Sequence, residues 1–190
     1  IGKTPKTDIV KFIGFEIFYL LLPGYVFCRK EYFRGALLYS TAILVSAFIL
    51  IVSFLIGSAI NNMVIVFVVP LIFSCISLYH LFTNINNKGI SKFKLDLGFC
   101  AVICVFTFFS FLKLGVTGVS PINAGYVNGY ADSLWIAGNS AALTGGLPAT
   151  IFEIAGRSYR YHMVSSVLQA CVAIVTKISS VNVFFTYWSF

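Results

Sequence analysis

The sequence predicts an all-α fold: a polytopic transmembrane bundle of about five to six helices, with one long outer loop bearing a short surface helix. Three observations predict it. Hydrophobic residues make up 59% of the 190 residues and charged ones only 10%, with a mean hydropathy of +0.94, whereas soluble domains carry about 25% charged residues. The apolar residues gather in blocks near the ~20 residues that cross a ~30 Å hydrocarbon core. These blocks lack the alternation of apolar and polar residues that marks barrel strands.

The net charge of +7 does not indicate a nucleic-acid partner, because the basic residues are scattered in small groups between apolar blocks, where they set topology. Cys28, Cys75, Cys100, Cys104 and Cys171 lie in or at the ends of those blocks and read as small buried hydrophobes. No Met opens the chain, and the apolar run 181–190 is too short to span. The 190 residues therefore read as one transmembrane region, the N-terminal fragment of a longer protein.

The first block covers residues 9–27. It contains Glu16, which nothing in the sequence explains, and Leu-Leu-Pro-Gly-Tyr at 21–25, where Pro23 and Gly24 are expected to kink or break the helix. The block either crosses the membrane or forms a re-entrant hairpin. Arg29, Lys30 and Arg34 follow. Blocks two (36–56) and three (63–82) are joined by the chargeless linker 57–62. Lys88, Lys92 and Lys94 precede block four (95–114). Excess Lys and Arg marks cytoplasmic loops. That rule puts both basic linkers in the cytoplasm, and the 57–62 turn and the long segment 115–160 outside. Block five is 161–179, with Lys177 at its expected cytoplasmic end. Asp96 and His80 are explained locally, by a helix start beside Lys92 and Lys94 and by an interfacial position.

The segment 115–160 carries the functional information. Residues 131–143 are Ala-rich, with Leu134, Trp135 and Leu143 available for an apolar face, and Gly145, Gly146 and Pro148 end the run. A short helix at the membrane surface with Trp135 in the interface fits this pattern. Asp132 stands near its start, and Glu153, Arg157, Arg160, Tyr161 and His162 lead into block five. Ionisable groups concentrated on an apolar protein mark function. Each also has a plain reading: Asp132 as a helix cap, Arg157 and Arg160 as interfacial side chains, His162 as a polar helix end.

The order Asp132-Ser-Leu-Trp135, Gly145-Gly-Leu-Pro148, Gly156 and Tyr161-His162 resembles the GT-C superfamily of integral-membrane glycosyltransferases, in particular its bacterial members. There, an acid in the first long outer loop is followed by a Gly-x-Pro stretch and a Tyr-His pair. The resemblance covers 130–188, and Leu21–Tyr25 looks like the N-terminal segment of such proteins. It implies a multi-pass protein of the bacterial cell membrane that moves a sugar from a polyprenyl-phosphate donor to an acceptor on the non-cytoplasmic side. Two departures stand out: Ile136 lies where relatives often have His, and Ser133 and Leu134 replace a second acid. A metal-free mechanism is therefore favoured over one using a divalent metal, and no cofactor is assigned. Under this reading Asp132 is the catalytic base, drawing off the acceptor's proton. Arg157, Arg160, Tyr161, His162 and Glu153 bind substrate, the cationic groups meeting the lipid phosphate. Two other readings remain: a transporter or flippase-type protein, and a non-catalytic membrane scaffold.

Overall fold

The computed structural model describes residues 6–28, 35–88, 131–149 and 163–184. Among these every regular element is helical. The elements are α1 (Lys6–Phe15), a π-helical segment (Glu16–Leu21), α2 (Leu22–Cys28), α3 (Gly35–Ala59), α4 (Val64–Lys88), α5 (Ala131–Leu143), α6 (Met163–Thr176) and α7 (Ser180–Asn182). Three stretches are long and apolar enough to cross a membrane: Thr7–Cys28, Leu37–Ala59 and Val64–Thr83. At ~1.5 Å per residue, the shortest of these, 20 residues, measures about 30 Å. Block four lies outside the described residues.

Of the kink or break expected at Pro23-Gly24, no break is present: the first stretch runs on as one helix, with a π register just before Pro23. In the π segment each N–H reaches the carbonyl five residues back, as Leu22 N–H does to Ile17. Pro23 has no N–H, so the carbonyl of Phe18 loses the donor this register would supply. The hydroxyl of Ser74 on α4 donates to it instead. One turn along α4, Ser77 Oγ donates to the Leu22 carbonyl at 2.5 Å. Gly24 N–H donates sideways to Ser46 Oγ on α3 at 2.7 Å. Ser46, Ser74 and Ser77 are fully buried. Neighbouring hydroxyls thus satisfy the backbone that proline disturbs, as an apolar surrounding requires.

Gly24 also sets how closely α2 approaches α3. A Cβ there would overlap the Ala42 carbonyl, with the carbonyl carbon at 2.7 Å. Small residues at such crossings let helix backbones come together. Around this contact Cys28, Leu38 and Ala42 form a small cluster.

The α3–α4 turn is built from two asparagines. Asn61 takes a positive φ of 54°. Its N–H donates to the Ser58 carbonyl at 3.2 Å and that of Asn62 to Gly57 at 2.8 Å. This pair of bonds closes a helix with a left-handed residue. Asn62 Oδ1 then accepts from Val64 N–H at 3.1 Å, capping α4.

A second unit, α5 to α7, packs against the first. Phe12, Phe15, Leu50, Phe54 and Val66 share one core cluster with Leu143, Val167 and Val172. α6 is described from Met163 to Thr176, within the block 161–179 from which a crossing was expected. Lys177, with φ of 61°, ends it, its N–H bonding the Ala173 carbonyl at 3.0 Å. Val175 and Thr176 border the same cavity as Lys11, Phe67 and Leu71. The end of α6 therefore lies in the half of the bundle next to the α3–α4 turn. The sequence reading had placed Lys177 at the opposite end from that turn.

Candidate functional site

The helix expected over 131–143 is present as α5, described from Ala131 and ending at Leu143 as expected. Asp132 stands on this helix, eleven positions before its last residue, Leu143. The helix is packed into the molecule rather than lying free on a surface: Ala137, Asn139, Ser140 and Leu143 are buried, and Trp135 packs against the core. Glu153, Arg157, Arg160, Tyr161 and His162 lie outside the described residues. Among the described residues no three His, Cys, Asp or Glu side chains come together in a metal-holding group.

Between α5 and α6 runs a buried polar seam. Ser140 Oγ lies 2.8 Å from both the Ile136 carbonyl and Gln169 Oε1, its single hydroxyl hydrogen serving the two acceptors. Gln169 Nε2 donates to Ser165 Oγ at 3.3 Å. Gln169 is fully buried, and so is Asn139, 1% exposed, whose carboxamide oxygen and nitrogen have no hydrogen-bond partner among the described residues. An unpaired buried amide is a costly arrangement, at about 1–3 kcal/mol, and such groups call for an explanation. Positions 132 and 139 are seven residues apart on one helix, which a 3.6-residue turn puts on nearly the same face, about 10 Å along the axis.

The Gly145-Gly-Leu-Pro148 stretch has a structural role. Gly146 takes a φ of 93°, a conformation open to glycine and strained for other residues. Its N–H donates to the Leu143 carbonyl at 2.9 Å. A Cβ at this position would lie 3.2 Å from Ser58 Oγ and 3.4 Å from the Met63 sulfur. The turn leaving α5 is therefore seated on the α3–α4 turn. The Leu147–Pro148 peptide is cis. So the motif that carries part of the resemblance also docks α5 at one end of the bundle.

Asn139 and Gln169 were not singled out by sequence reasoning. A faint signal was there: Ser165 and Gln169, one turn apart, form a polar pair at helical spacing inside an apolar run. Comparison with protein-family models, with functionally curated proteins and with solved structures finds no match to this chain.

Proposed function

We propose that this chain is part of a multi-pass membrane glycosyltransferase of the GT-C type, with about five to six crossing or re-entrant helices in this region. In this reading it moves a sugar from a polyprenyl-phosphate donor to an acceptor on the non-cytoplasmic side, with Asp132 as base. The carrying observation is the sequence order from Asp132 through Gly145–Pro148 to Tyr161-His162, on a chain with three apolar helices of membrane-crossing length. The docking of the turn at Gly146 onto the α3–α4 turn supports a common side for the two segments that the charge pattern assigns to the exterior.

In the complete protein, Asp132→Asn keeps the shape and most of the capping capacity of Asp, because Asn caps about as well. As a base, Asp132 is expected to be worth about a hundredfold or more in turnover. Unchanged sugar transfer by a folded Asp132→Asn enzyme reduces Asp132 to a helix-start residue, and Glu153 is then the next carboxylate to replace. One observation favours a transporter instead: Glu16 stands near the middle of the span Thr7–Cys28, where the π segment begins, and acids at such depth line ion or substrate paths. Substrate flux across reconstituted vesicles that Glu16→Gln abolishes, without any sugar transfer, would decide for that class.

A further inference from the structure

Between α1, the π segment, α4 and α6 lies a groove of about 420 Å³, within the size range of small-ligand sites. Its polarity changes along its length. Lys11 stands at one end, near the start of the span Thr7–Cys28, while Phe18 and Tyr19 line it near the middle of that span. From Lys11 to Phe18 is about 10 Å at ~1.5 Å per residue. Beyond Lys11 the lining is apolar, with Phe67 and Leu71 contributed by α4. Of the two hydroxyl-bearing residues in the lining, Tyr19 and Thr176, the latter is already engaged: Thr176 Oγ1 donates to the Val172 carbonyl at 2.7 Å and accepts from Ile178 N–H at 3.2 Å. Gly14 leaves the wall open, since a Cβ there would meet nothing within 4 Å.

We propose that this groove holds one acyl chain of an anionic bilayer phospholipid, with the lipid phosphate set on Lys11. A positive group near the end of a membrane span, with an apolar channel descending from it toward the middle, has the polarity profile of a phospholipid. Lys11 Nζ lies 3.5 Å from Asp8 Oδ1, with the lysine side chain 47% exposed. An ammonium has three donors, so this one pairing leaves two for a phosphate. An exposed pair of this kind is weak, and a phosphate can share or displace it. Phe18 and Phe67 are themselves partly exposed, so a chain enters sideways from the bilayer. The proposal stands apart from the sugar-transfer reading.

The test uses the full chain purified in mild detergent, with bound lipid counted by native mass spectrometry. Phosphatidylglycerol and phosphatidylcholine of identical chains are titrated separately. The expected result is one phosphatidylglycerol retained per chain in preference to phosphatidylcholine. Lys11→Gln lowers that preference about fivefold, the effect of one lysine at an anionic surface. Gly14→Leu fills the groove and removes the bound lipid while helicity is unchanged. Equal retention of the two lipids, or phosphatidylglycerol binding by folded Gly14→Leu at the wild-type level, overturns the proposal. Should Gly14→Leu fail to fold, an unaltered lipid preference in Lys11→Gln overturns it on its own. Stronger retention of a polyprenyl phosphate than of phosphatidylglycerol gives the groove to a different chain class and also defeats it.

Discussion

Gly24→Ala adds one methyl group where α2 crosses closest to α3 among the described glycines. In an isolated helix the change is favourable by about 1 kcal/mol, because alanine loses less backbone freedom. Here the new Cβ overlaps the Ala42 carbonyl of α3, and a carbonyl held in a helix has nowhere to go. α2 must move away from α3, and overpacking of this kind costs about 1–3 kcal/mol. The movement also stretches the 2.7 Å bond from Gly24 N–H to Ser46 Oγ, worth about 1 kcal/mol. Set against the helix gain, the net expectation is a loss of about 2 kcal/mol, roughly a thirtyfold change in the folding equilibrium. Denaturing detergent titrated into mixed micelles, followed by far-ultraviolet circular dichroism, measures it. A local readout accompanies the global one. Cys28 is 2% exposed beside Leu38 and Ala42, so its alkylation rate should rise in Gly24→Ala. Exposed Cys75 should react alike in both proteins. Ser46→Ala should cost about 1 kcal/mol, and the double variant less than the two together, since both break one contact. A Gly24→Ala protein as stable as the parent, with Cys28 still protected, would refute the close-packed crossing.

The turn and seam give further expectations. Asn61→Gly should leave stability within about 0.5 kcal/mol, whereas Asn61→Val, a β-branched residue forced to a φ of 54°, should lose about 1–2 kcal/mol. The same detergent titration reads both. Asn139→Leu removes two unpaired polar atoms from a buried site and should stabilise the fold by about 1–2 kcal/mol; a clear destabilisation would mean that the carboxamide has a partner in the membrane-embedded protein. In a cysteine-free background, cysteines at exposed Asn62 and Ala141 should be labelled from the same side of sealed vesicles, and a cysteine at buried Asn139 should be protected. Labelling of positions 62 and 141 from opposite sides would remove the common-side argument.

Much of the helical framework is written in local hydropathy. The blocks at 36–56 and 63–82 foreshadow α3 and α4 to within a turn or two, because a run of apolar residues without prolonged polar interruption is decided by nearby residues alone. α5 was equally legible: an Ala-rich stretch followed by Gly145-Gly146 contains its own stop signal. The continuity of the first helix was not. Pro23 and Gly24 announce a kink or a break, and the hydroxyls that meet the Phe18 and Leu22 carbonyls, on Ser74 and Ser77, are 56 and 55 residues away. The end of α6 at Thr176 was missed for a related reason. Lys177 is followed by Ile178, and the hydropathy of 161–179 does not reveal the left-handed residue that ends the helix. The burial of Asn139 was hidden too, because a polar residue in a turn-rich segment reads as water-facing until its helix is seen packed on α6.

Among the described residues, two groups of polar side chains have different physical meanings. Ser46, Ser74 and Ser77 meet backbone groups around Pro23 and Gly24, so the fold accounts for each. Buried Ser140 and Gln169 bond to each other, with Gln169 also reaching exposed Ser165, and Asn139 beside them has no hydrogen-bond partner among the described residues. No backbone defect requires that seam, and a leucine at position 139 would avoid the desolvation penalty of an unpaired amide. A polar group without a structural role, on the helix face that also carries position 132, is better placed to meet water or a hydroxyl-bearing molecule than to stabilise packing. The two explanations separate in one variant. If Asn139 meets a ligand, Asn139→Leu should be more stable and yet impaired in the complete protein's activity, a stability–function trade-off. If it holds only a structural water, stability should fall or stay level while activity is retained.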